Sequence, residues 1–339
     1  MNFAVIPAHF KFVIPFLACG FLISLAIFPF YIKKLKELQW GQQIREEGPQ
    51  DHLSKKGTPT MGGLVILFTF VLCSLLYCIF SRYLPSEEGQ ITMDYIAFAI
   101  VIIANGALGF IDDFMKIKKN QSLGLRARDK LIAHFIIGLG LAWYMQTYSS
   151  LGTKVFIPFV GLINFGWFLY PFAVAVVSGC VNSVNLTDGL DGLAAGSVCI
   201  SLCGYCLILL YTGRFDLFIG CLFIIGALFA FLAFNSFPAR IFMGDTGSLG
   251  LGGALAVLSI LTGTELILFI LGGIYVIEAL SVMIQVAYFK KTGGKRIFKM
   301  SPIHHHFALG GLHEVQVTTR FWLAGFAFGI LGLLTYFGI

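Results

Sequence analysis

Five carboxylates stand out in a chain that is otherwise poor in charge. They are the adjacent pair Asp112-Asp113, Asp188 and Asp191 within Asn182-Ser-Val-Asn-Leu-Thr-Asp-Gly-Leu-Asp-Gly192, and Asp245 within Phe242-Met-Gly-Asp-Thr-Gly-Ser248. All sit at the edges of long apolar runs, where an idle acid is costly. Two neighbouring acids at a helix C-terminus repel each other and the negative end of the helix dipole, so they point to a bound metal or to proton transfer. An i,i+4 pair between Asp112 and Lys116 on a solvated helix end accounts for one acid and leaves the other unexplained. Asp188-Gly189 and Asp191-Gly192 are turn dipeptides that take the backbone out of helix and turn polar groups toward a shared space. Asp245 stands just ahead of an apolar run, where it can cap the helix, and the same helix N-terminus offers N–H groups to an anion such as phosphate. The Gly250-Leu-Gly252-Gly253 run that follows has no strand before it, so it reads as close helix packing and not as a dinucleotide loop.

Basic and amide groups accompany the acids. Ile303-His304-His305-His306-Phe307 carries three consecutive imidazoles. Side chains of consecutive residues diverge by about 100° on a helix and alternate on a strand, so a single zinc ion is a poor match, and donors to a phosphate or pyrophosphate fit better than zinc, with a plain surface loop as the bland alternative. The stretch from Gly48 to Gly63, with Lys55, Lys56 and crowded Gly, Pro and Thr, resembles a shaped anion-binding loop. Glu278 and Gln285 lie within an apolar run and join the site if they face the bundle. Hard oxygen ligands beside phosphate-binding groups suit Mg²⁺. Phosphoryl transfer from a soluble nucleotide-linked donor to a membrane-embedded lipid acceptor is the reaction class that follows.

The elements that must position these groups are membrane spans. Of 339 residues, 58% are hydrophobic and 12% charged, with mean hydropathy +0.86, against about 25% charged in a soluble domain. The fold class is an all-α polytopic membrane protein, a single integral-membrane domain over 1–339. Apolar runs long enough to cross a core of about 30 Å recur ten times, at 12–32, 62–81, 94–111, 131–147, 165–184, 193–213, 217–234, 247–264, 266–289 and 321–339. The segment 155–164, broken by Pro158, is too short to span and reads as interfacial or as a hairpin. Placing the loops after spans one, three, seven and nine inside puts 19 of 23 Lys and Arg on the cytoplasmic face, leaving Lys11, Arg82, Lys154 and Arg214 outside. Both termini are then predicted outside, and every polar cluster, hence the active site, lies on the cytoplasmic face. No polar loop carries a pair of cysteines, so disulfides are not expected, and Cys199, Cys203 and Cys206 read as helix packing.

Taken together, Gly57-Thr-Pro-Thr-Met-Gly-Gly63, Asp112-Asp113, Asn185 to Leu193, Phe242 to Leu249 and Ser301-Pro-Ile-His-His-His-Phe307 make residues 48–320 resemble the phospho-N-acetylmuramoyl-pentapeptide transferases, within the polyprenyl-phosphate N-acetylhexosamine-1-phosphate transferase superfamily. The triple-His motif favours the muramoyl branch. The resemblance implies a ten-span homodimer in the bacterial cytoplasmic (inner) membrane that uses Mg²⁺, has no nucleic-acid partner, and moves phospho-MurNAc-pentapeptide from UDP-MurNAc-pentapeptide onto undecaprenyl phosphate, giving lipid I and UMP in peptidoglycan synthesis. It implies Asp245 as metal ligand, Asp112 as base and Asp113 as its partner in the catalytic pair, with a two-step scheme using Asp245 as nucleophile also open. It further implies Lys55, Asn185, Asp188, Asp191, Asn235, Phe242 and Gln285 as nucleotide-pocket residues and His304, His305 and His306 at the pyrophosphate. After Phe307 the chain reads Ala308-Leu-Gly-Gly-Leu-His-Glu314 where the family places an acid and, later, an aromatic. An ion-coupled transporter and an intramembrane aspartyl protease are the rivals; the first expects acids near the midplane, and the second a Gly two residues before Gly244.

Overall fold

A computed structural model describes residues 6–41, 57–84, 89–119 and 124–338; Lys55 lies outside the described residues. The long helices are α1 (Ile6–Glu37), α2 (Gly63–Phe80), α3 (Met93–Lys119), α4 (Ala127–Tyr148), α5 (Leu169–Thr187), α6 (Leu193–Tyr211), α7 (Phe215–Asn235), α8 (Gly244–Thr262), α10 (Gly273–Thr292) and α12 (Glu314–Phe337), with short α9 (Glu265–Leu271) and α11 (Ile303–Ala308). Among the described residues, nine helices have the length and hydropathy to cross a membrane. The ten-span expectation adds α4, which has 22 residues but opens with Arg128, Asp129 and Lys130 and carries His134 and Gln146.

Helix α8 is the axis of the bundle, packed against α2, α3 and α5, with nearly every residue from Thr246 to Leu261 buried. Small residues let it get that close: a Cβ on Gly109 of α3 would collide with the Asp245 carbonyl oxygen, and one on Gly63 of α2 with the Gly247 backbone. A Cβ on Gly252 would stand 2.6 Å from Cα of Val181 in α5. Packing of this kind replaces the hydrophobic drive that lipid cannot supply between helices.

Two expectations change in detail. Residues 266–289, expected as one span, form α9 and α10 with a break at Gly272; Gly273 packs where a Cβ would meet the Phe328 ring at 2.6 Å, so α10 leaves α9 at that contact. The last helix starts at Glu314, ahead of the expected 321, because His313 and Gln316 form a reciprocal capping box. The 155–164 segment is a hairpin, β1 (Lys154–Ile157) antiparallel to β2 (Gly161–Asn164), docked through Phe156 N–H on the Gly263 carbonyl at 2.7 Å. At that end of the bundle Arg214 pairs with Asp94, and Asp216 accepts from the Thr92 hydroxyl at 2.6 Å.

If α3 and α8 depend on their closest approach, Gly109→Ala should lower stability by about 1–3 kcal/mol through overpacking. Gly140→Ala on α4, which meets nothing within 4 Å, should leave it unchanged or slightly raised. The midpoints of thermal unfolding in detergent check the pair.

Candidate active site at one end of the bundle

The C-terminal end of α3, the N-terminal ends of α4 and α8 and the C-terminal end of α5 converge on one acidic cluster. Asp112, Asp113 and Asp245 each offer a carboxylate oxygen, and these atoms lie within 4.8 Å of one another. Asp112 and Asp113 are buried, with 1% and 4% of their surface exposed. Two ammonium groups hold the cluster together. Lys116 lies 2.6 Å from Asp112 and 3.2 Å from Asp245; Lys130, from α4, lies 3.0 Å from Asp112 and 2.6 Å from Asp245. Asp112 also accepts the Leu125 N–H at 2.7 Å. The i,i+4 pair anticipated for Asp112 and Lys116 is therefore present, but buried and shared with a second acid.

Asp113 has a different task. Its oxygens accept the N–H groups of Asp245 at 3.0 Å and Thr246 at 2.9 Å and the Thr246 hydroxyl at 2.7 Å. The N-cap position of α8 is Met243, with no side-chain cap, so the reading of Asp245 as the cap is corrected: the acid that satisfies the α8 N-terminus comes from α3. That leaves the Asp245 carboxylate free to face the lysines, while its Oδ1 accepts from Asn185 Nδ2 at 2.9 Å. Asn185 also donates to Ser248 Oγ at 2.8 Å.

The 188–192 turn follows. Asp191 is buried, accepts the Ala239 N–H at 2.9 Å, and has its own N–H on Glu314 at 2.7 Å. Asp188 is partly exposed as a residue; its carboxyl is pushed up to about 8, first by desolvation, then by the charges of Asp245, Asp113 and Asp191, with Lys116 opposing. Asn235 is committed to backbone, accepting from Gly192 N–H at 3.0 Å and donating to the Ile241 carbonyl at 2.9 Å. Phe242 keeps a partly exposed ring while its backbone ties Pro59 and Gly62 to the α8 entrance, both at 2.8 Å. Gln285 accepts the N–H groups of Ile297 and Phe298 and donates to the Phe298 carbonyl, all at 3.0 Å.

The three histidines meet different partners. His304 is fully buried against Glu278 at 3.0 Å, His305 lies beside it with ring centroids 4.1 Å apart and planes tilted by 57°, and His306 Nδ1 accepts the Lys299 N–H at 3.1 Å. Lys130 was not singled out in the sequence, where it counts only toward topology; the signal was a lysine on the first turn of a helix that must pass beside the acids.

Hard carboxylate oxygens suit a divalent cation, and the flexible Lys116 and Lys130 stems put positive charge where one would sit. Asp112 and Asp245 fit as its holders. Asp113 fits less well, because three donors already occupy it.

The family model described as Glycosyl transferase family 4 matches residues 95–263, which contain all three acids. The Phospho-N-acetylmuramoyl-pentapeptide-transferase signature 1 matches residues 55–67. Curated relatives include the phospho-N-acetylmuramoyl-pentapeptide-transferases of Desulfitobacterium hafniense, 44% identical over 94% of this chain and 96% of that protein, and of Halalkalibacterium halodurans, 44% identical over 94% and 95%. The Oceanobacillus iheyensis protein of the same name is 45% identical over 94% of this chain and 96% of its own.

Two outcomes test the electrostatics. Lys130→Met leaves Asp112 and Asp245 short of a counter-charge and should cost about 3–5 kcal/mol, as for other broken buried pairs; millimolar Mg²⁺ should then raise the thermal midpoint more in this variant than in the native protein. For Asp188, the folded state holds the proton up to pH about 8, whereas an unfolded aspartate releases it near about 3.9. Its contribution is constant below that lower value, falls as pH rises from about 4 to about 8, and levels off above. The stability of the native protein relative to Asp188→Asn, followed by denaturation across this range, should decline in that window.

Proposed function

The chain belongs to the phospho-N-acetylmuramoyl-pentapeptide-transferase family, and from that premise we propose that it transfers phospho-MurNAc-pentapeptide from UDP-MurNAc-pentapeptide to undecaprenyl phosphate, giving lipid I and UMP for peptidoglycan synthesis. The observation that carries this reading is the buried cluster of Asp112, Asp113 and Asp245 bridged by Lys116 and Lys130. A nucleotide-linked substrate and a phosphate-headed lipid both bring oxyanions, and such a cluster has cationic groups to receive them and carboxylates to move a proton. We place it on the cytoplasmic face of the bacterial inner membrane, in a single domain with both termini outside, and assign the working unit as a homodimer.

Asp112 is the base. It takes the proton from the acceptor's phosphate, the freed oxygen attacks the β-phosphorus of the donor, and the bond from that phosphorus to the α–β bridging oxygen breaks. UMP leaves with the electron pair. Asp245 would hold Mg²⁺, which when bound would supply positive charge to the diphosphate. Asp113 sets Asp245 in place through the α8 N-terminus.

Around this centre we assign donor recognition to Asn185, Asp188, Asp191 and Phe242, and to Lys55. Asn235 and Gln285, whose amides are bound to backbone, shape the pocket walls. His304, His305 and His306 lie toward the diphosphate. The acceptor's polyprenyl chain finds a matching surface in an apolar cavity of about 310 Å³ between α5, α9 and α10, lined by residues such as Val176, Gly179, Leu268, Phe269, Val276 and Met283.

Purified protein incubated with UDP-MurNAc-pentapeptide, undecaprenyl phosphate and Mg²⁺ should release UMP; no release would overturn the assignment. Asp245→Asn should lower kcat by at least about 10²–10³-fold, the range for losing an electrostatic stabiliser. Asp191→Asn should instead raise the KM for the nucleotide donor more than it lowers kcat. Loss of kcat alone in both variants would erase the division of roles.

A further inference from the structure

Glu278 has no part in the machinery above, yet it is a carboxylate with 0% exposure in α10, a helix long and apolar enough to span. Burial of such a group is strongly unfavourable without a partner. Among the described residues its side chain has one partner, His304, 26 residues later and equally buried, with Glu278 Oε2 3.0 Å from Nδ1. Among the same residues the second oxygen of Glu278 and the Nε2 atom of His304 have no hydrogen-bond partner. On its far side the imidazole closes on the 188–192 turn: a Cβ on Gly189 would collide with His304 Nε2. The ring is thus wedged between a membrane helix and the turn that carries Asp188 and Asp191.

A carboxylate on Nδ1 fixes the tautomer and the plane of an imidazole and leaves Nε2 to act. We propose that Glu278 is a positioning residue for donor recognition: acting through Nδ1 of His304, it aims Nε2 and braces the Gly189 turn, so that the diphosphate of a nucleotide-linked donor meets a preset imidazole. In the bound complex both ring nitrogens donate, Nδ1 to Glu278 Oε2 and Nε2 to a diphosphate oxygen, so the orphaned imidazole nitrogen gains a partner. The inference rests on the reading of His304 as a diphosphate ligand. It adds a residue that touches neither substrate and a route by which α10 sets the nucleotide rim.

A double-mutant cycle on the full-length protein tests it, with Glu278→Gln, His304→Asn and the double variant compared for kcat and for the KM of each substrate. Glu278→Gln should raise the donor KM about 10–100-fold, the scale of a lost hydrogen bond to a charged group, with the undecaprenyl phosphate KM unchanged. The double variant should be no worse than His304→Asn alone, because the two residues act as one unit. An independent arm is Gly189→Ala, whose methyl group displaces the ring; it should raise the donor KM in the native background and add nothing to His304→Asn. If His304→Asn leaves the donor KM unchanged, the diphosphate assignment of His304 fails. If His304→Asn impairs donor binding but the effects of Glu278→Gln multiply with it, or Gly189→Ala has none, His304 keeps its role and the positioning role of Glu278 is overturned. Should Glu278→Gln not fold, the Gly189→Ala arm decides alone.

Discussion

The contact between the Asp113 carboxylate and the first turn of α8 is the constraint on which the site depends. A helix that begins inside a protein leaves N–H groups without intrahelical partners, and in a low-dielectric bundle each one left unpaired is costly. Asp113 answers two of them and the Thr246 hydroxyl. The contact is possible only because Gly109, one turn earlier on α3, lies against the Asp245 carbonyl with no side chain between. One interaction therefore caps the central helix, sets the spacing of α3 and α8, and delivers Asp245 to Asp112.

Once the acids are together, their charge must be managed. Three carboxylates face two ammonium groups, Lys116 and Lys130, each of which bridges Asp112 and Asp245. At an effective dielectric near 20, opposite charges at about 4 Å attract by about 4 kcal/mol, and like charges repel comparably, so the cluster without its lysines would not hold. The lysines are tethered by flexible stems, whereas the acids sit on rigid helix ends. A site built this way is organised before any ligand arrives, and its cations can yield position to a metal or turn toward a phosphate without moving the scaffold.

Most of the architecture was legible because spans announce themselves: apolar runs of about 20 residues can only be helices in lipid, and the expected runs match the observed helices within several residues, apart from 266–289, which is broken at Gly272. The acids were legible for the converse reason, that lipid-edge carboxylates are hard to explain otherwise. What could not be read were relations between distant segments. That Asp113 serves the α8 N-terminus, that Lys130 reaches Asp245 across 115 residues, and that Asn185 binds Asp245 directly are facts of helix packing, which no local pattern encodes. Asn235 and Gln285 illustrate the same limit, since an amide that contacts a ligand and one that holds a loop have the same sequence signature.

Helix α10 shows how one element can serve two solvents. At 100° per residue, Val276, Leu280 and Met283 form one stripe and Glu278, Ser281 and Gln285 form another on the opposite side. The first lines the apolar cavity beside α5. The second is buried toward protein, where Glu278 meets His304 and Gln285 gathers the 297–298 backbone. The break at Gly272 frees α10 to take its own direction after α9. A lipid chain packed on the first stripe and a nucleotide bound near loops held by the second would bear on the same rigid rod, so occupancy of one face changes the energy of the other only by shifting or tilting that helix.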